Sequence, residues 1–163
     1  MYVEKQFWQD LKSGKFVSMV SDSAKGEILK TPSEVFNVMK PLFIENDDVE
    51  SIYGIFLNSK NRVKAIEKLA SGSISSSMVY PREIIKRILA LKSNAIILVH
   101  NHPSGCPEPS KADFDITLRI AIALDNIGST LHDHIIIGDS YYSLADSGWM
   151  DELREKVSAV ISL

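Results

Sequence analysis

Residues 94–113 read NAIILVHNHPSGCPEPSKAD, and this stretch decides both the fold and the chemistry of the chain. Its first part is apolar without polar alternation, which is typical of a strand that is covered on both faces. Three prolines and a glycine then fall within residues 103–109, and they interrupt regular structure. We therefore expect a central strand that ends near His100, an irregular loop, and a helix that begins at Ser110.

The polar residues around this loop form a candidate metal site. His100 and His102 are two residues apart, so at the end of a strand both imidazoles can point to the same side of the sheet. Asp113 lies in the first turn of the following helix, and the loop can bring its carboxylate beside them. Two nitrogens and one oxygen with a free fourth position are typical of a catalytic zinc site. The alternative is structural: Ser110 and Asp113 cap the helix, and the histidines are hydrogen-bonded polar groups at a strand end.

A second pair of histidines, His132 and His134, has the same spacing on a predicted strand over residues 130–137. With both rings on one face, this pair could in principle complete a site of four histidines. The favoured interpretation is that His134 orients a neighbouring side chain or fills the core, and that His132 is a polar residue of the sheet.

The remaining pattern alternates strands with helices. Residues 15–20 are rich in β-prone side chains and predict a short strand, preceded by an amphipathic turn. The other predicted elements are a helix that begins at Thr31, a hairpin of residues 52–58 and 63–69, a loop over 71–77, a helix after Tyr80, and a helical tail from Met150. This order favours a three-layer α/β/α domain with a mixed sheet. We expect residues 1–30 to be a short N-terminal extension that packs on a domain of residues 31–163.

Composition limits the classes of function. The chain has 163 residues, of which 45% are hydrophobic and 24% charged, as expected for one globular domain. Its formal charge of −3 and the lack of a lysine or arginine block give nucleic-acid binding no support, although a local basic patch remains compatible with it. One cysteine, Cys106, and short apolar runs predict a cytoplasmic protein that does not span a membrane.

The motif around the two histidines is similar to that of a known superfamily. His-x-His-Pro followed by Ser-x-x-Asp, with seven residues between His102 and Ser110, resembles the JAMM motif of JAB/MPN-type metalloproteases. The longer string from His100 to Asp113 resembles the RadC branch of that superfamily. Further similarity spans about residues 50–144 and includes Pro81-Arg82-Glu83-Ile84, Asn94-Ala95 and Asp133-His134-Ile135-Ile136. The resemblance implies a cytidine-deaminase-like fold.

The resemblance also implies roles for individual residues. His100, His102 and Asp113 would bind one Zn2+ per chain, and Ser110 would help to bind the oxyanion that forms when water attacks a carbonyl. The family needs a glutamate at the opening of a strand to accept a proton, and Glu50 matches this position. The implied reaction is hydrolysis of a peptide or isopeptide bond.

Alternatives to this interpretation stay open. Glu50 belongs to an acidic cluster over residues 45–50 and could simply be a solvated charge. Because the RadC family carries a DNA-repair label, a DNA-repair-associated nucleic-acid-binding domain or a structural domain without protease activity is the second hypothesis. Tyr80 and His132 depart from the residues common in the family, but neither is a proposed ligand. The identity of the substrate and the oligomeric state do not follow from the sequence.

Overall fold

A computed structural model describes residues 2–44, 48–72 and 79–162 of the chain. Its described strands form one mixed sheet in the order β2-β1-β3-β4-β5. The strands are β1 (Ser51–Leu57), β2 (Val63–Ser71), β3 (Ala95–Asn101), β4 (Thr130–Ile137) and β5 (Tyr141–Ser143). Only β3 and β4 pair in parallel, while β1 pairs antiparallel with β2 and β3, and β4 pairs antiparallel with β5. The predicted hairpin is confirmed as β1 and β2.

Helices cover both faces of the sheet, which confirms the predicted three-layer architecture. The α-helices of the described ranges are α1 (Tyr2–Lys12), α2 (Lys15–Ala24), α3 (Pro32–Met39), α4 (Pro81–Leu91), α5 (Lys111–Asp125) and α6 (Trp149–Ile161), and a short 3-10 helix, Lys40–Phe43, follows α3. Side chains of α4, α5 and α6 form one hydrophobic core with the sheet, and side chains of α2 and α3 form a second core on the opposite face. Within these ranges, no helix is both long and apolar enough to cross a lipid bilayer.

Strand β3 lies at the centre of this arrangement, as the apolar stretch predicts. All seven of its residues are buried. Ile96 and Leu98 pack into the core beneath α4, α5 and α6, whereas Ile97 and Val99 pack into the core beneath α2 and α3. The polar residues His100 and Asn101 lie at the carboxyl end of this otherwise apolar strand.

The N-terminal prediction of a strand over residues 15–20 is wrong, because these residues belong to helix α2. Val17, Val20 and Ala24 contact the second core, and their spacing of three and four residues matches a helical face. The Ser21 hydroxyl also accepts a hydrogen bond from the backbone N–H of Ile66 in β2, at 2.8 Å. The division at residue 30 stays a prediction, and most of the predicted loop over 71–77 lies outside the described residues.

Candidate metal centre

The three predicted ligands come together at the carboxyl end of β3. His100 is on the strand, and the backbone N–H of His102 donates to the carbonyl of Ile137 at 2.8 Å, so the pairing with β4 continues past the last strand residue. The alternation of side chains therefore persists, and both imidazoles point to the same side. Asp113 reaches them from the first turn of α5. His100 and Asp113 are buried, at 1% and 3% exposed, while His102 is only partly buried.

The separations of the ligand atoms fit a tetrahedral metal ion. The two histidine Nε2 atoms are 3.0 Å apart, the Nε2 atom of His100 is 3.2 Å from Asp113 Oδ1, and the Nε2 atom of His102 is 3.1 Å from Asp113 Oδ2. Two donors that each lie about 2.0–2.1 Å from a zinc ion, at the tetrahedral angle, are about 3.3 Å apart. Within the described residues, these three side chains form a group that could hold a metal ion.

Hydrogen bonding determines which atom of His102 faces this group. Its Nδ1 atom lies 2.9 Å from the backbone carbonyl of Cys106, and a carbonyl can only accept. In the neutral ring Nδ1 therefore carries the proton, and Nε2 presents a lone pair to His100 and Asp113. The carboxylate of Asp113 adds negative charge at the same point, so the group attracts a cation.

The titration behaviour of the group shows the same attraction. The hydrogen bond with Asp113 raises the pKa of His102, although burial opposes the rise. Burial alone would raise the pKa of Asp113, but its interactions with the neighbouring His100 and His102 outweigh burial and hold that pKa well below its usual range. Asp113 is therefore a carboxylate at neutral pH, and its negative charge favours a cation at this point.

The structural alternative for Ser110 and Asp113 is also realised, and it does not compete with the ligand role. The Ser110 hydroxyl accepts the backbone N–H of Asp113 at 3.2 Å, and the Asp113 carboxylate accepts the backbone N–H of Ser110 at 2.8 Å. This reciprocal pair is a capping box at the start of α5. The cap fixes the orientation of the carboxylate, which still reaches both histidines. The Ser110 side chain itself is exposed beside the group.

Glu50 lies next to the group, directly before β1. The antiparallel register pairs Ile52 with His100, and Glu50 lies two residues before Ile52 in the chain. After the hydrogen bond with Asp113, which has the largest effect, the charge of Glu50 is among the influences that raise the pKa of His102. Glu50 is partly buried, and its role stays a prediction.

Asn101 is a residue of this region that the sequence did not single out. Its Oδ1 atom accepts the backbone N–H of Ser51 at 2.7 Å, and its Nδ2 atom donates to the backbone carbonyl of Val49 at 3.0 Å. The amide thus bonds the chain on both sides of Glu50. The available signal was its position between His100 and His102, since alternation along a strand directs the middle side chain away from the flanking two.

The second pair of histidines does not enter the group. His134 is fully buried and its Nε2 atom lies 2.7 Å from His100 Nδ1, so it contacts a candidate ligand and agrees with the expectation that it orients a neighbour. His132 instead hydrogen-bonds with Asn61 at 2.9 Å. The expectation that both rings share one face is wrong, because the pairing of β3 with β4 shifts by one residue where His132 lies. Such a bulge reverses the alternation of side chains.

A surface cavity of about 270 Å³ adjoins the group on the side of His102. Its lining is partly apolar and includes Phe43, Ile44, Pro103 and Ile137, with Lys40 at its border. The loop that carries Pro103 is packed tightly against the end of β4, since an added Cβ at Gly138 would lie 2.1 Å from the carbonyl oxygen of Gly105. The cavity therefore has a firmly placed wall beside the candidate metal site.

Comparison with known proteins identifies the family of the chain and agrees with its fold. The model of a family described as "RadC-like JAB domain" matches residues 29–149, and the chain belongs to this family. It is 42% identical over 132 residues to a UPF0758 protein of Thiobacillus denitrificans, which covers 80% of this chain and 58% of the relative. A UPF0758 protein of Legionella pneumophila is 47% identical over 103 residues, covering 62% of this chain and 45% of the relative. The chain spans about half the length of these curated relatives.

Proposed function

We propose that the domain is a zinc-dependent metallopeptidase of the JAMM type that hydrolyses a peptide or isopeptide bond. The observation that carries the proposal is the convergence of two imidazole nitrogens and one carboxylate at separations of 3.0–3.2 Å, with His102 also in the lining of a surface cavity. His100, His102 and Asp113 would bind one zinc ion per chain and leave a fourth position for water. This is the arrangement of a hydrolytic rather than a purely structural zinc site.

The remaining residues account for the steps of hydrolysis. A bound zinc ion would act as a Lewis acid and lower the pKa of a water molecule toward about 7. Glu50, directly before β1, would accept a proton from the attacking water and later deliver it to the leaving amine. The Ser110 hydroxyl uses its oxygen to accept the backbone N–H of Asp113, which leaves its proton to donate to the oxygen of the attacked carbonyl.

The proposed setting is the reducing cytoplasm. Cys106 is a free and exposed cysteine. An exposed thiol that lies between two candidate ligands in the chain would be prone to oxidation in an oxidising compartment. The scissile bond is proposed to lie beside the cavity that adjoins His102.

Metal analysis is the first test. We expect purified protein to contain about one zinc ion per chain and His100→Ala to lose it, because the variant removes a buried ligand. A His132→Ala variant is the matched control, since its ring lies away from the group, and it should retain the metal. Zinc that remains in His100→Ala would place the ion elsewhere and refute the site.

Turnover is the second test, with peptide and isopeptide libraries as substrates. Glu50→Gln should lose activity at least about a hundredfold while zinc stays bound, because the amide keeps the shape of the side chain but accepts no proton. Glu83→Gln is the control, since Glu83 is 54% exposed and its ion pairs are with Arg82 and Lys86 of its own helix. Full activity in Glu50→Gln would refute the assignment of the base.

A further inference from the structure

The candidate ligand His100 has a buried partner for its second ring nitrogen. His100 Nδ1 lies 2.7 Å from Nε2 of His134, and the Nδ1 atom of His134 lies 2.6 Å from the hydroxyl oxygen of Thr117. The Thr117 hydroxyl also lies 2.5 Å from the backbone carbonyl oxygen of Asp113. His134 and Thr117 are both 0% exposed. A chain of hydrogen bonds thus runs from the backbone of one candidate ligand to the ring of another, through α5, β4 and β3.

The backbone carbonyl of Asp113 determines which group donates and which accepts in each hydrogen bond of this series. A carbonyl oxygen only accepts, so the single hydroxyl proton of Thr117 is directed to Asp113. The hydroxyl oxygen must then accept from the Nδ1–H group of His134. A neutral ring protonated at Nδ1 has a bare Nε2, which accepts from the Nδ1–H group of His100.

We propose that Thr117 and His134 are positioning residues that hold His100 in the tautomer able to bind a metal. With its proton on Nδ1, His100 presents the lone pair of Nε2 to His102 and Asp113. Outer partners of this kind fix the orientation and tautomer of metal-binding histidines, most often through a carboxylate, a carbonyl or water. Here the outer partner is a second imidazole, which can accept or donate and is itself set by Thr117. The inference rests on the metal site of the proposed function and is independent of the bond that is hydrolysed.

Without the Thr117 hydroxyl, the hydrogen bonds of this series can reverse their donor and acceptor roles. In Thr117→Val the His134 Nδ1–H group has no acceptor, so its proton can move to Nε2 and be donated to His100. The proton of His100 is then displaced to Nε2, the atom that would bind the metal. Valine has the shape of threonine without the hydroxyl, and Thr117→Ser keeps the hydroxyl without the methyl group. The two variants therefore separate hydrogen bonding from packing.

The experiment measures Zn2+ affinity by competition with a chromophoric chelator, for the wild type and both variants. Thr117→Val should bind zinc about 10–100-fold more weakly, as other losses of an outer partner do. Thr117→Ser should bind nearly as tightly as the wild type. Denaturant unfolding of each metal-free protein checks that the variants are folded. Equal affinity of Thr117→Val and the wild type would overturn the inference, as would an equal loss in both variants, since that result would assign the effect to packing.

A second measurement does not depend on the variants. In the metal-free wild type at about pH 8.5, roughly two units above the ordinary histidine pKa, nitrogen-15 NMR of the imidazoles should show His134 protonated at Nδ1. Protonation at Nε2 would overturn the inference even if Thr117→Val does not fold. A wild type that binds no zinc removes the proposed function and this role together. Failure of the inference alone is recognised by a wild type and Thr117→Val that bind zinc equally.

Discussion

The affinity of the site for zinc should fall as the pH is lowered through the pKa of His102. The pKa of His102 is raised above its ordinary value of 6.5, first by the hydrogen bond with Asp113 and against the effect of burial. A proton on His102 must leave before a metal can bind, so protons and zinc compete for the same nitrogen. Asp113 does not add to this competition near neutrality, because its pKa lies well below the usual range.

The competition between protons and zinc sets how strongly the zinc affinity depends on pH. Well above the raised pKa, His102 is neutral and its affinity for zinc is independent of its own proton. Below that pKa, the displacement of one proton costs about tenfold in affinity per pH unit, or about 1.4 kcal/mol. Between about pH 6.5 and about pH 5.5 we therefore expect a loss of about tenfold, with the onset above pH 6.5 because the pKa is raised.

The assay is zinc competition against a chelator whose own pH dependence is known, read at several pH values. Nitrogen-15 NMR of the metal-free protein gives the pKa of His102 separately. Asp113→Asn should move that pKa down, since the variant removes the main hydrogen-bond acceptor that raises it. An affinity that is constant from about pH 8 to about pH 5.5 would show that no imidazole holds the metal, and the reasoning would be refuted. An unchanged pKa in Asp113→Asn would refute the assigned cause.

Two further substitutions and one removal test other parts of the structure. Asn101→Ala should lower the free energy of unfolding by about 1–3 kcal/mol, because two backbone groups beside Glu50 lose their hydrogen-bond partner. The same variant should lower turnover more than zinc affinity. Denaturant unfolding and steady-state kinetics check the two expectations. Gly138→Ala should lower both stability and zinc affinity, because the new Cβ would lie 2.1 Å from the carbonyl oxygen of Gly105. In the control Gly128→Ala the new Cβ has no atom within 4 Å, so this variant should lose only about 1 kcal/mol of stability through backbone strain. Removal of zinc by a chelator should lower the melting temperature, and zinc at 100 times its dissociation constant should restore about 2.7 kcal/mol.

Local patterns in the sequence predict a large part of the site. The uninterrupted apolar run of β3 predicts a strand covered on both faces, and all seven residues of the strand are buried. The spacing of His100 and His102, and the Ser-x-x-Asp cap of α5, predict that a carboxylate and two imidazoles can meet. These features depend on residues close together in the chain, where periodicity and capping rules apply. The role of Glu50 came from a resemblance and stays a prediction, with Glu50 directly before β1 and two residues from Ile52, which pairs with His100.

Tertiary packing decided the features that depend on distant residues. Residues 15–20 have the composition of a strand, but they form part of α2 because a helix buries Val17 and Val20 against the sheet. A one-residue shift between β3 and β4 separates His132 from His134, and no local pattern encodes it. By itself, the sequence determined which side chains could bind a metal and on which elements they lie, since spacing along a strand or helix is a local property. Only the folded chain determined which neighbours hydrogen-bond with the site residues and orient them. The contacts of Asn101 with Val49 and of His100 with His134 join residues that are 52 and 34 positions apart, which no local spacing can predict.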